Sequence, residues 1–234
     1  MNSKLKVLDL FSGIGGFSLG LHSTGIFDTV KFVEFDKFCQ KVLQKNFPDV
    51  PIEGDIRDVK GEEFEADVIT GGFPCQPFSN AGKKQTFSDD RGLLFDEVMR
   101  LAQAKKPRFM FLENVKHILK VSDGAGMEYI INKLDEIGYT LQLFEMSPHR
   151  YGVPQQRERI YFICIRNDIY KDTDVNLIYP QIPESEIVFR DHLDKKESVP
   201  EKYETSHQIS FLGNKETHIA KNKSRDIYFY LLKR

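Results

Sequence analysis

Leu5-Lys-Val-Leu-Asp-Leu-Phe-Ser-Gly-Ile-Gly-Gly16 is the stretch that decides the fold. Leu5–Phe11 is a compact apolar run of strand character, and it ends in a glycine turn. Phe17–Ser23 then reads as a short helix. Glycines between a strand and a helix let the backbone approach a ligand closely. Glu34 closes the next strand-like run, Thr29–Phe35, about 20 positions on, where a carboxylate accepts ribose hydroxyls. Ser18 stands where a dinucleotide pattern has its third glycine, and no basic residue lies in the loop to meet a pyrophosphate. A nucleoside without phosphates therefore fits better than a dinucleotide. Asp55, after the following turn, offers a carboxylate to an exocyclic amine such as that of adenine. The glycines alone are equally compatible with a tight turn that holds nothing.

Working outward, short apolar runs alternate with amphipathic stretches. A helix is predicted from Asp36 to Asn46 and a strand over Ala66–Thr70, ending at Gly71-Gly72. Residues 73–91 are polar and without a clear period, so they read as a long functional loop. Leu93–Ala104 is a helix, Arg108–Leu112 a strand, Glu128–Ile137 a helix, and Tyr139–Met146 and Arg159–Arg166 two adjoining strands. This alternation predicts an α/β fold, a mostly parallel sheet with helices on both faces. Ligands of such sheets bind beyond the carboxyl ends of the strands, where strand order reverses. The unusual segments 11–16, 34–36, 55–56, 71–79 and 113–115 fall at those ends. After Arg166 the alternation fades into a proline-bearing connection. The expected division is residues 1–180 as one domain and 181–234 as the start of a second region.

Composition narrows the classes. The chain has 234 residues, 40% hydrophobic and 29% charged, an ordinary globular mixture that excludes disorder and fibrous repeats. No window approaches a membrane span, and no signal-peptide pattern is visible at Met1–Lys6. Three cysteines, Cys39, Cys75 and Cys164, are too few for a disulfide framework and fit a reducing cytoplasm. They lack zinc-ligand spacing, so no metal is expected. The net charge is −2, yet residues 202–234 carry seven Lys/Arg against three Asp/Glu. That basic, aromatic-rich stretch suits docking or contact with DNA, or simply a solvated tail.

Three further blocks carry chemistry. In Gly71-Gly-Phe-Pro-Cys-Gln-Pro-Phe-Ser79 a cysteine sits between prolines beyond a strand end, the place for a reactive thiolate. Cys164, within an apolar strand, and Cys39, within a helix, read instead as structural. In Phe109-Met-Phe-Leu-Glu-Asn-Val115, Glu113 follows four apolar residues and is expected to be partly desolvated and able to donate a proton, although a helix N-terminal charge would look similar. In Tyr151-Gly-Val-Pro-Gln-Gln-Arg-Glu-Arg-Ile160, one arginine is expected to enter a site while the other pairs with Glu158 or a neighbouring carboxylate.

In order from Leu5 to Arg166, these blocks together resemble the DNA (cytosine-5)-methyltransferase family, the bacterial modification methylases. The resemblance implies a Rossmann-like, S-adenosylmethionine-dependent methyltransferase fold with an antiparallel last strand. It places Phe11, Gly13, Gly15, Glu34, Asp55, Ile56 and Pro74 at the S-adenosylmethionine pocket. Cys75 becomes the nucleophile, Glu113 the group at cytosine N3, and Arg159, with Arg157, the holder of a flipped base. Ser79, Lys83, Lys84 and Arg91 lie in the loop that closes over double-stranded DNA. Complete members continue into a target-recognition domain and a Gln-x-Gly-Asn-Ser-like element, neither of which is found here. The expectation is a catalytic half that works in the bacterial cytoplasm with a second polypeptide, in a restriction-modification system. A truncated gene also fits. The tRNA-acting relatives, whose Cys-Phe-Thr element is missing, and a non-catalytic cofactor-binding remnant are the alternatives.

Overall fold

The computed structural model describes residues 3–61, 65–74, 93–153 and 155–172. The chain divides into two units, Met1–Met146 with Arg159–Tyr179, and Ser147–Glu158 with Pro180–Arg234.

The described residues of the first unit hold seven strands: β1 (Leu5–Leu10), β2 (Phe27–Val33), β3 (Ile52–Glu53), β4 (Val68–Gly72), β5 (Phe109–Val115), β6 (Tyr139–Met146) and β7 (Arg159–Arg166). They form one sheet in the order β3-β2-β1-β4-β5-β7-β6. The pairings from β3 to β5 are parallel, whereas β7 runs antiparallel to both β5 and β6. The mostly parallel sheet with an antiparallel last strand is thus present, and that last strand is inserted one place in from the edge. Strand order reverses between β1 and β4, which puts the carboxyl ends of these two strands side by side.

Among the described residues five helices accompany the strands: α1 (Gly16–His22), α2 (Lys37–Asn46), α3 (Leu93–Lys105), α4 (Ala125–Glu136) and α5 (Asn167–Asp172). In β1, Val7, Leu8, Asp9 and Leu10 are all buried, as befits a central parallel strand covered on both sides. β5 alternates instead, burying Met110, Leu112 and Asn114 and leaving the intervening residues half-buried. In α3, Phe95, Val98, Met99, Leu101 and Ala102 recur at helical spacing. In α4, Met127, Ile130 and Leu134 do the same, and both stripes join the core of Leu8, Leu10, Ile69, Met110, Leu112 and Phe162. The Asp36 carboxylate starts α2 by accepting the Cys39 N–H at 2.8 Å.

Several sequence readings shift slightly: β2 covers Phe27–Val33 rather than Thr29–Phe35, and α4 begins at Ala125 rather than Glu128. Gly71 and Gly72 belong to β4 rather than following it, and β5 continues through Glu113-Asn114-Val115. A Cβ at Gly71 would stand 2.9 Å from the Leu10 carbonyl oxygen, so only glycine lets β4 run this close to β1.

In the second unit, Pro148–Tyr151 forms a 3-10 turn closed by Gly152 at φ +84°. Ser147 Oγ accepts the Arg157 N–H at 3.1 Å and lies 2.8 Å from His149 Nδ1.

Candidate active site

The turn after β1 has backbone angles that few residues accept. Phe11, Gly13 and Gly15 have φ of +50°, +54° and +92°. A Cβ at Gly15 would come within 2.9 Å of the Phe47 ring and 3.1 Å of Leu43, so this glycine seats the turn against the end of α2. A Cβ at Gly13 would meet nothing within 4 Å, leaving open space over its backbone. The Gly13 N–H donates to Glu34 Oε2 at 2.7 Å, and the Asp36 N–H donates to Oε1 at 2.8 Å. The carboxylate at the end of β2 is therefore fixed beside the glycine turn. Each of its oxygens retains lone-pair capacity for a hydroxyl. Phe35, next to it, is 75% exposed.

Beneath the turn lies a residue that the sequence reading missed. Asp9 is wholly buried. Ser18 Oγ donates to its Oδ2 and Thr70 Oγ1 to its Oδ1, both at 2.7 Å, and Thr29 Oγ1 donates to Ser18 Oγ at 2.8 Å. One carboxylate thus ties β1 to α1 and β4 directly, and to β2 through Ser18. Ser18, which breaks the dinucleotide pattern, is a working part of this network. The N-terminal end of α1 already faces an internal carboxylate, which disfavours a pyrophosphate there.

Burial pushes the Asp9 pKa up from 3.8 to about 6, against the lowering effect of its hydroxyl donors, with the Glu34 charge adding to the rise. The folded chain then binds this proton more tightly than the unfolded chain does. The contribution of Asp9 to stability falls as pH rises from about 4 to about 6, by up to roughly 3 kcal/mol. Chemical denaturation of Asp9→Asn should therefore show a stability difference from the parent that shifts by that amount in favour of asparagine between pH 4 and pH 7. A difference that stayed constant with pH would contradict the assignment.

Asp55 opens a 3-10 turn, Ile56–Asp58, after β3, with Ile56 buried. The Arg57 guanidinium and backbone N–H hold the Asp55 carboxyl below its usual pKa. Phe11, Gly13, Gly15, Glu34, Asp55 and Ile56 thus all lie at the carboxyl ends of β1, β2 and β3.

The second group of residues lies at the ends of β4, β5 and β7. Glu113 is paired in register with Gly72 on β4 and Tyr161 on β7, and Val115 is paired with Arg159. Arg159 Nε stands 2.6 Å from Glu113 Oε1, with side chains 15% and 22% exposed. Arg159 is thus the arginine that pairs with a carboxylate, and that carboxylate is Glu113 rather than Glu158. A Cβ at Gly72 would lie 3.2 Å from Glu113 Oε2, so glycine there leaves room for the acid. Asn114, also missed from sequence, is 2% exposed and donates through Nδ2 to the Phe73 carbonyl at 2.9 Å. The Phe73 ring packs against Phe95 and Phe162 at 5.0 and 5.7 Å. The chain is held on three sides just before Pro74, two residues ahead of Cys75.

Cys75 itself lies outside the described residues, as do Ser79, Lys83, Lys84, Arg91 and the basic stretch 202–234. Arg157 precedes β7, in the second unit, and is exposed. The Cys164 thiol is wholly buried and its pKa is raised by that burial. Cys39, half-buried in α2, is raised by burial and by its hydrogen bond with Asp36. Neither is a poised thiolate. Among the described residues no cluster of His, Cys, Asp or Glu could hold a metal, and no helix is long and apolar enough to cross a membrane.

The two groups of side chains thus share the carboxyl edge of one seven-stranded sheet, on either side of the point where strand order reverses. Residues 5–234 match the C-5 cytosine-specific DNA methylases, and the chain belongs to that family. It is 42% identical over 166 residues to the type II methyltransferase M.HhaI of Haemophilus parahaemolyticus, a match covering 70% of this chain and 50% of that protein. It is 36% identical to M1.ScrFI of Lactococcus lactis, covering 91% of this chain and 56% of that protein. The chain thus spans about half the length of these relatives. Among solved structures, Spodoptera frugiperda DNMT2 superposes with a TM-score of 0.60 at 28% identity, covering 76% of this chain and 52% of that one. The Entamoeba histolytica methyltransferase EhMeth shares the fold with a TM-score of 0.67 at 22% identity, covering 89% and 65%.

Proposed function

We propose that this chain carries the catalytic half of a DNA (cytosine-5)-methyltransferase of a restriction-modification system, with S-adenosylmethionine as methyl donor and double-stranded DNA as acceptor. The observation that carries the reading is the Glu113–Arg159 pair, set at the mouth of β5 and β7 beside the anchored Phe73-Pro74.

The cofactor end fits the donor. Glu34 would take the ribose hydroxyls, Asp55 the adenine amine, and the exposed Phe35 ring would offer a face to the base. The open backbone at Gly13 would admit the remainder, and Phe11, Gly15, Ile56 and Pro74 would shape the walls. A cationic sulfonium is compatible with a turn that has buried Asp9 beneath it and no basic residue of its own. When bound, S-adenosylmethionine supplies an electrophilic methyl group.

The protein's task is to make carbon 5 of cytosine nucleophilic. The Cys75 thiolate would add to carbon 6 while Glu113 engages N3 by a proton or a strong hydrogen bond, giving an enamine whose carbon 5 can accept the methyl. Loss of the carbon-5 proton to water, with elimination of the thiolate from carbon 6 and return of the N3 proton to Glu113, would then free the enzyme. Arg159 would orient Glu113 and, with Arg157, hold the base. These atoms are unreachable inside a duplex, so the base must be extruded. Ser79, Lys83, Lys84 and Arg91 would meet the backbone phosphates.

The test is covalent trapping. Duplex DNA containing 5-fluorocytosine, incubated with the chain and S-adenosylmethionine, should yield an adduct mapped by mass spectrometry to Cys75, because fluorine blocks the final elimination. Parallel reactions with tRNA separate the nucleic-acid classes. Reactions with and without the product of the adjacent reading frame show whether a second polypeptide is required. An adduct on RNA only, or on another residue, would overturn the reading.

A further inference from the structure

The turn that carries Asp55 is gripped by two arginines, neither of which the proposed chemistry uses. Arg57 folds back so that its Nε lies 2.9 Å from Asp55 Oδ1 and its Nη2 lies 2.5 Å from Oδ2, while its own backbone N–H donates to Oδ1 at 3.0 Å. Nε also stands 3.1 Å from Oδ2, a shared contact within the same fork. From α3, Arg100 Nη2 donates to the carbonyls of Ile56 and Val59, both at 3.1 Å, and Glu97 holds its Nε at 2.6 Å. The Asp55 side chain is 19% exposed and that of Arg57 is 59% exposed, so the acid sits inward of the base that holds it.

An ionised carboxylate has about four acceptor positions. Three Arg57 hydrogens meet it: the backbone N–H on Oδ1, one Nη2 hydrogen on Oδ2, and the Nε hydrogen shared between the two oxygens. We infer that Arg57 is a positioning residue for base recognition: its fork fixes the Asp55 carboxylate in one orientation and leaves a single acceptor position for the exocyclic amine of the nucleoside. The inference rests on the reading of Asp55 as the partner of adenine, and it adds selectivity to that reading. A base with a carbonyl in place of the amine would set two acceptors against each other, and a carboxylate fixed by a bidentate fork cannot turn away from the clash. Without the fork, Asp55 is free to rotate out, and the penalty against the oxo base falls.

The experiment compares S-adenosylhomocysteine with S-inosylhomocysteine, its 6-oxo counterpart, as ligands of the whole chain, by calorimetry with competition for the weaker ligand. The parent should prefer the amine by on the order of a hundredfold. Arg57→Ala should lose about tenfold in affinity for S-adenosylhomocysteine while affinity for the oxo ligand holds or rises, so that discrimination narrows. Arg57→Lys retains a charge without the fork and should behave like Arg57→Ala. Equal weakening of both ligands in Arg57→Ala would mean that Arg57 merely supports the turn, and would overturn the inference. If the parent discriminates, Asp55→Ala abolishes that discrimination and Arg57→Ala preserves it, the inference falls while the reading of Asp55 stands. A parent that does not discriminate at all sinks both.

Discussion

Cys75→Ala should abolish methyl transfer to DNA, leaving activity at background in a tritiated-methyl assay, with S-adenosylhomocysteine affinity unchanged. The size of the effect follows from the role. Carbon 5 of cytosine is a poor nucleophile, and without a covalent bond at carbon 6 nothing in the site can turn it into an enamine carbon. Serine in the same place should do little better, because its hydroxyl is far less ionised than a thiol at neutral pH. The described cysteines do not offer a substitute: Cys164 is sealed in the sheet and Cys39 sits in α2, and burial raises the pKa of both thiols. Transfer that persisted in Cys75→Ala at a tenth or more of the parental rate would remove the covalent mechanism.

The second large effect concerns the acid. Glu113→Gln should lower the single-turnover rate by on the order of a hundredfold to a thousandfold, the range for a positioned proton donor, with little change in cofactor affinity. Arg159→Ala should cost a similar factor, because Glu113 then loses the guanidinium 2.6 Å away that orients it. The two losses should not multiply. Residues that act as a unit give a double variant close to the worse single variant, so Glu113→Gln/Arg159→Ala should fall near the single variants. Full multiplicativity would mean that the arginine serves the base or the phosphate independently of the acid.

How much of this was legible in the sequence depends on the range of each interaction. The limits of β6 and β7 were readable to the residue, because both are apolar runs flanked by turn signals. Glu34 and the glycine turn were readable because a strand, a turn and the next strand end keep a fixed spacing. β3 was not read, since two residues carry no periodicity. Gly71 and Gly72 looked like the end of a strand because glycine is rare inside one; its reason here, close approach to Leu10 and room for Glu113, is visible only in three dimensions. Asp9 lies within the stretch Leu5–Gly16, yet its partners come from α1 and β4, up to 61 residues away. The contact of Arg159 with Glu113 likewise depends on an antiparallel register that no local pattern encodes.

That register has a consequence for the order of events on the ribosome. β7 is the last of the described strands to be made, yet it lies between β5 and β6. Cys75 and Glu113 are therefore translated well before the guanidinium that orients the acid, and β6 waits without a sheet partner until β7 slides in beside it. A nascent polypeptide halted before Arg159 carries Glu113 without the guanidinium that pairs with it. Closure of one hairpin onto β5 brings the edge strand and the Glu113–Arg159 pair into place together, so the pair forms with the completion of the sheet.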